Sequence, residues 1–442
     1  MHQWPLLSVI PTSPIFRLPN ELLVSILREV HRQDGGSVIC AGKVTGLHNM
    51  HSALQTVTQV SCRLRALAFG TPTLWADIYI RELHPARYHI LDACIKRSQS
   101  CLLNIYIQDD CCVWAKSESY LPILLTCCNR WKSLSVTSHS TSYTHKIISM
   151  LRPLYTPQLE SLTIEAYSNF YDVGKDNTYT PILQKGAPKL HSISLLNISL
   201  LSCYPPLSTV KELTNWVFQP TRAMSSNQLT DILLHSSSLT SLQLSSQTML
   251  PWAGQKTPPI LLPSLTDLCL DFDHLGEKTL LRLFMALETP NLRSLRMHDL
   301  IYELGALFAQ FLWEQSSPRY PLLDFLELRS VDLPTDLYTI DFVRPLQSIT
   351  SLVLLDSNED NALEAAIASA KNSKSLLWTR LRCLKVAYCS IDTLQDFVLS
   401  REKAGVGLTS LHFSGLPGYG DMEIPDDDKG WLQEHVPLVS FL

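Results

Sequence analysis

Apolar residues recur at helical spacing twice within residues 16–80. Leu23, Ile26, Leu27 and Val30 fall at i, i+3, i+4 and i+7, with Leu22 widening the stripe. That pattern predicts an amphipathic helix. Pro19 suits its first position, where no N–H is needed, and Glu21 lies in the first turn, where the helix dipole favours a carboxylate. A second helix is predicted from Val57, Val60, Leu64, Leu67 and Ala68, with Gln59, Arg63 and Arg65 between them. Gly70 and Pro72 stop it, and Leu74 and Trp75 then form a short apolar plug. Residues 32–51, with Gly35, Gly36, Gly42 and Gly46, read as a long loop. Ile90, Leu91, Cys94 and Ile95 predict a linking helix within residues 81–100.

Downstream the period changes. An apolar triplet L-x-x-L-x-L occurs at Leu102/Ile105/Ile107, Trp131/Leu134/Val136, Leu159/Leu162/Ile164, Leu190/Ile193/Leu195, Val210/Leu213 with a degenerate third position, and Leu239/Leu242/Leu244. It continues at Leu265/Leu268/Leu270, Leu292/Leu295/Met297, Leu323/Leu326/Leu328, Ile349/Leu352/Leu354, Leu381/Leu384/Val386 and Leu408/Leu411/Phe413. The twelve occurrences step by about 28 residues on average, within the range of roughly 20 to 29 that marks leucine-rich repeats. The step of 20 before Val210 is the shortest and leaves room for a missing or degenerate turn.

The last two apolar residues of each triplet are two apart, so on a strand they share one side, and the first turns in from the preceding loop. Residues 279–287 and 362–370 show helical spacing between triplets, which predicts strands alternating with helices. Prolines precede several triplets, as Pro157, Pro188 and Pro290, and fix the turn into each strand. The cycle at 381–391 fits the longer form L-x-x-L-x-L-x-x-C-x-[LI], with Cys389 at the polar position. The leucines themselves are core. A partner would meet the intervening positions, among them Gln243, Asp267, Arg293, Arg296, Glu327, Arg329, Arg382 and Lys385.

Three segments of the first stretch carry a resemblance. Leu18-Pro19-Asn20-Glu21-Leu22-Leu23, Val60-Ser61-Cys62-Arg63-Leu64-Arg65-Ala66-Leu67-Ala68 and Thr71-Pro72-Thr73-Leu74-Trp75 together resemble an F-box of the kind abundant in mushroom-forming fungi. Where many members have Val-Cys-x-x-Trp, this chain has Val60, Ser61 and Leu64. The proline-led triplets look like the leucine-rich repeats that follow F-boxes in such proteins. The resemblance implies docking on the Skp-type adaptor of a cullin-RING (SCF) ubiquitin ligase, with the repeats holding an unidentified target for degradation. By position, Leu18, Pro19, Leu22, Leu23, Ile26, Val60, Leu64, Leu67, Leu74 and Trp75 would face the adaptor or form the domain core. The expected organisation is α/β: a leader over 1–14, a helical F-box-like unit over 15–80, a linking helix over 81–100, an irregular leucine-rich-repeat solenoid over 101–415 and a cap over 416–442. The alternative is an interaction scaffold without ligase association, its helical unit reduced to a cap.

Composition narrows the classes. The 442 residues are 45% hydrophobic and 17% charged, which argues against long disorder. A net charge of −5 with no Lys/Arg cluster gives no footprint for nucleic acid. No apolar run approaches a membrane span, and the N-terminus lacks the basic start of a signal peptide, so a cytoplasmic or nuclear location is expected. The cysteines, including the adjacent pairs Cys111-Cys112 and Cys127-Cys128, lack zinc spacing and read as reduced structural thiols. His48 and His51, three apart, and Asp426-Asp427-Asp428 are the remaining metal-type groupings, and both read as solvated. No phosphate loop, G-x-S-x-G or H-E-x-x-H is present, so neither cofactor nor catalysis is expected. A spatially assembled cysteine nucleophile is the rival that sequence leaves open.

Overall fold

The computed structural model describes residues 14–33, 37–40, 53–81, 88–109, 120–167, 179–218, 223–250, 259–272, 277–300, 320–331, 348–357, 359–373, 377–387, 389–414 and 425–441. His48, His51 and the glycines Gly415, Gly418 and Gly420 lie outside them. Two compact units are formed, Met1–Val173 with Ile182–Leu190, and Gly174–Pro181 with His191–Leu442.

The first unit opens with a helix, Asn20–Gln33, whose first turn is anchored by the Leu23 amide donating to the Pro19 carbonyl at 3.1 Å. Strand β1 (Ser37–Cys40) follows, correcting the expectation of loop throughout residues 32–51. The second helix is also corrected, because it is two helices, Ala53–Val60 and Cys62–Phe69. Ser61 separates them: its backbone is extended and its Oγ accepts the Leu64 amide, capping the new helix. The tight turn Pro72–Trp75 leads into β2 (Asp77–Arg81). The linking helix forms at Tyr88–Arg97. Then come β3 (Leu103–Asp109), β4 (Trp131–Ser138), a helix Thr141–Leu151 and β5 (Ser161–Ala166). These five strands pair in chain order, all parallel.

Their register lines up the triplets. Ile78, Ile105, Leu134 and Leu162 form one buried column, and Ile80, Ile107, Val136 and Ile164 the next. Trp75, Ile78 and Ile80 therefore make a triplet of their own, so the ladder begins before residue 101. Leu102 is corrected: it is exposed, and Leu103 is buried instead, because the β3–β4 register slips by one residue after Leu103.

In the second unit β6 (Ser192–Leu196), β7 (Glu212–Trp216), β8 (Ser241–Ser245), a two-residue strand β9 (Ile260–Leu261), β10 (Asp267–Asp271), a two-residue strand β11 (Leu287–Glu288), β12 (Ser294–His298), β13 (Phe325–Arg329), β14 (Ser351–Leu355), β15 (Cys383–Ala387), β16 (Ser410–Ser414) and β17 (Leu438–Phe441) succeed one another. Apart from β9 and β11, which pair together, they form one parallel run in chain order. The short step before Val210 skips no cycle, since β6 and β7 pair directly, Ile193 with Leu213. Its degenerate third position is Asn215, which is fully buried and donates through Nδ2 to the Ile198 carbonyl at 2.8 Å. Val436, Val439 and Phe441 add a last triplet in β17.

Many cycles enter their strand through the same turn. The amides of Leu159, Leu190, Leu265, Leu292 and Leu323 donate to the carbonyls three residues back, and Pro157, Pro188, Pro263, Pro290 and Pro321 hold the second turn position. Several cycles leave their strand through one left-handed residue: Asn197, Asp299, Ser330 or Asp356, with φ of 50 to 55°. Helices Glu277–Ala286 and Glu359–Ser373 fall where the spacing predicts them, burying Leu280, Leu281 and Phe284, and Ala362, Leu363, Ala366 and Ile367. In the tail, Asp426, Asp427 and Asp428 occupy the first turn of helix Asp426–His435, where the dipole favours them.

Candidate docking surface of the N-terminal helices

The ten residues singled out for the helical unit separate into two groups. Leu23, Leu64, Leu74 and Trp75 are buried, at 1 to 6% exposure. Leu18 and Leu67 are half-buried, and Pro19, Leu22, Ile26 and Val60 are exposed. On helix Asn20–Gln33 the separation is geometric: Leu23 and Leu27 point inward, whereas Leu22 (51% exposed) and Ile26 (39%) stand one turn apart on another face. Val60, 63% exposed, closes helix Ala53–Val60, which packs against the first helix.

Polar contacts fix this arrangement. The Arg63 guanidinium donates to the Leu18 carbonyl at 2.8 Å and to Asn20 Oδ1 at 2.7 Å, tying the third helix to the start of the first. Arg28 Nη2 donates to Thr73 Oγ1 at 3.3 Å. Trp75 Nε1 donates to the Ala68 carbonyl at 2.8 Å, and the Arg97 guanidinium lies over both the Phe69 ring (4.2 Å) and the Trp75 ring (4.5 Å). Trp75 is thus the buried aromatic of the unit, beside a position 64 that holds Leu. Arg63, Arg28 and Arg97 carry no periodic signal, so the sequence pattern did not single out their roles.

The strand-face positions are dispersed in a similar way. Gln243, Arg296, Glu327 and Lys385 share one column across β8 to β15, together with Cys269 and Val353. Asp267 lies in the column on one side of this and Arg329, beside His298, in the column on the other. Arg293 and Arg382 stand just before their strands, their carbonyls receiving amides of the next cycle. Glu327 is 3.5 Å from both Arg296 Nε and His298 Nε2, contacts at the limit of hydrogen bonding. The His298 contact, with Arg296 and Arg329 nearby, holds the Glu327 carboxyl below its ordinary value of 4.5 against the opposing effect of partial burial. A depressed carboxyl stabilises the fold fully above 4.5 and loses that contribution as pH falls through its native value. Glu327→Gln is therefore expected to flatten the acid limb of the stability profile by about 1 kcal/mol or less. Urea midpoints at neutral and acid pH measure this, and an unchanged limb would deny Glu327 an electrostatic role.

Burial raises the pKa of the Cys94, Cys203 and Cys269 thiols to about 12. Cys389 is also raised, by burial and then by Asp360, whose Oδ1 receives its S–H at 3.2 Å. Such thiols are poor nucleophiles at neutral pH. Among the described residues no three His, Cys, Asp or Glu side chains gather to hold a metal ion, and no helix is long and apolar enough to cross a membrane.

These features define an α/β protein whose long parallel ladder, one strand per cycle with intervening helices, is solenoid-like. The chain matches no protein-family model, and it matches no curated protein.

Proposed function

We propose that the protein is a substrate receptor of a cullin-RING ubiquitin ligase, its N-terminal helices docking on a Skp-type adaptor and its strands holding a target protein. The observation that supports this is the separation of Leu22, Ile26 and Val60 from the core: three large apolar side chains stand in solvent, two on a helix that buries Leu23 and Leu27 and one at the end of the helix packed against it. In this reading the chain makes and breaks no bond. It raises the effective concentration of the target near the ubiquitin-loaded enzyme.

A second reading is favoured by Trp75, which serves the helical unit and also opens the first triplet of the ladder. There the helices only close the end of the array, as solenoids require, and the protein is a scaffold without ligase association. Co-purification of the full chain with the adaptor separates the two. Leu22→Asp/Ile26→Asp is expected to weaken adaptor binding by roughly tenfold to a hundredfold while the denaturation midpoint stays near the native value. No adaptor binding by the folded native chain would sink the receptor reading.

A further inference from the structure

The exposed side of the first unit's sheet carries an aromatic column that stops after two rings. Tyr79 and Tyr106 sit opposite each other on β2 and β3, stacked with centroids 4.3 Å apart and planes 11° from parallel. The next residues in that register are Ser135 on β4 and Thr163 on β5. Strands are spaced by about 4.8 Å, close to a stacking distance, so the place above Ser135 is that of a third flat group, yet only short hydroxyls stand there. Tyr79 is the ring on one side of Tyr106, and the other side faces this gap.

The two flanks of the gap differ. On one, the neighbouring residues are Ser133 and Asn104; Asn104 Oδ1 accepts from Ser133 at 2.9 Å, and Asn104 Nδ2 donates at 2.6 Å to the Asp77 carboxylate, which stands two strands away from β4 on β2. On the other, acidic flank, Glu165 Oε2 receives both the Thr137 hydroxyl and the Tyr167 hydroxyl at 3.3 Å, and Oε1 receives neither. Lys132, at the start of β4, already faces Glu160 at 3.9 Å. A neutral ring in the gap would bring Glu165 no counter-charge. A guanidinium is flat enough to continue the stack and carries the charge and the donors that Glu165 Oε1 lacks.

We propose that this gap is a recognition slot for an arginine side chain of a partner protein, stacked on Tyr106 over Ser135 and paired with Glu165. The slot deepens the receptor reading, on which it rests for the idea that the strand face holds the target, but it is independent of adaptor docking.

The probe is N-acetyl-arginine methylamide, with its uncharged citrulline counterpart, added at millimolar concentration to the full chain and followed by saturation-transfer NMR. The arginine compound is expected to bind, and the citrulline compound about tenfold more weakly. Tyr106→Ala and Glu165→Gln should each weaken binding by a similar factor. Ser135→Tyr, which supplies the third ring from the protein itself without removing any contact, should block the slot while the denaturation midpoint is retained. Binding that persists in both Tyr106→Ala and Ser135→Tyr, equal binding of the citrulline compound, or no saturation transfer to the native chain would each overturn the proposal. Leu22→Asp/Ile26→Asp should bind the probe as the native chain does, so failure of adaptor docking and failure of the slot are read separately.

Discussion

Replacing Trp75 with alanine is expected to cost about 3–5 kcal/mol, the cost of emptying the site of a large buried aromatic. Trp75 is 3% exposed, and its ring lies beside Phe69 with the Arg97 guanidinium over both. Its N–H donates in a buried setting to the Ala68 carbonyl, which also accepts the Thr71 amide at 3.3 Å, so truncation removes one of that carbonyl's bonds as well. Trp75→Phe keeps most of the volume and loses that bond, for an expected loss of about 1 kcal/mol. Denaturant midpoints of the two variants give the comparison. A loss below about 1 kcal/mol for the alanine variant would mean that the turn Pro72–Trp75 does not hold the helices to the first strand pair.

Arg401→Ala is the second large loss, also about 3–5 kcal/mol. Arg401 is fully buried on helix Ile391–Lys403 and has no carboxylate partner among the described residues. Its guanidinium instead donates to the carbonyls of Leu381 at 2.9 Å, Val406 at 3.0 Å and Leu377 at 3.4 Å, and lies 5.5 Å from the Phe397 ring. Burial, with the Arg382 charge adding to it, lowers its pKa to about 10. Below that value the side chain is charged both folded and unfolded, so the cost of burying the charge is fully present at neutral pH and is relieved only above about 10. Truncation therefore removes an unfavourable charge together with favourable packing and three carbonyl bonds. Arg401→Met keeps the packing and is expected to lose less, about 1–3 kcal/mol. If methionine proves as stable as arginine, the carbonyl bonds only compensate for the buried charge.

The ladder was legible because its signal is repeated and has a physical origin: Leu134, Leu162 and their equivalents are fully or nearly fully buried at one register position. The triplets at its ends were legible in principle. Trp75-x-x-Ile78-x-Ile80 has the same spacing as Trp131-x-x-Leu134-x-Val136, but its tryptophan was absorbed into the helical pattern before it. The break at Ser61 was hidden because the apolar residues of two short consecutive helices, Val57 and Val60 in one and Leu64, Leu67 and Ala68 in the other, keep nearly the period of one long helix. A serine three residues before an inward leucine was the available cue. Strand β1 was masked by the glycines around it. The stacked tyrosines gave no warning, since Tyr79 and Tyr106 are 27 residues apart and meet only through strand register.

The left-handed residue that ends several strands has a consequence for ancestry. The amides of Asn197, Asp299 and Ser330 donate to the carbonyls of Trp216, Arg329 and Leu355, each the last residue of the following strand. The joint between one cycle and the next is thus made by backbone atoms that every residue but proline possesses. A gene can gain or lose a stretch encoding a whole cycle and still produce matching joints on either side, so the number of cycles is free to drift between lineages while the rules of joining stay fixed.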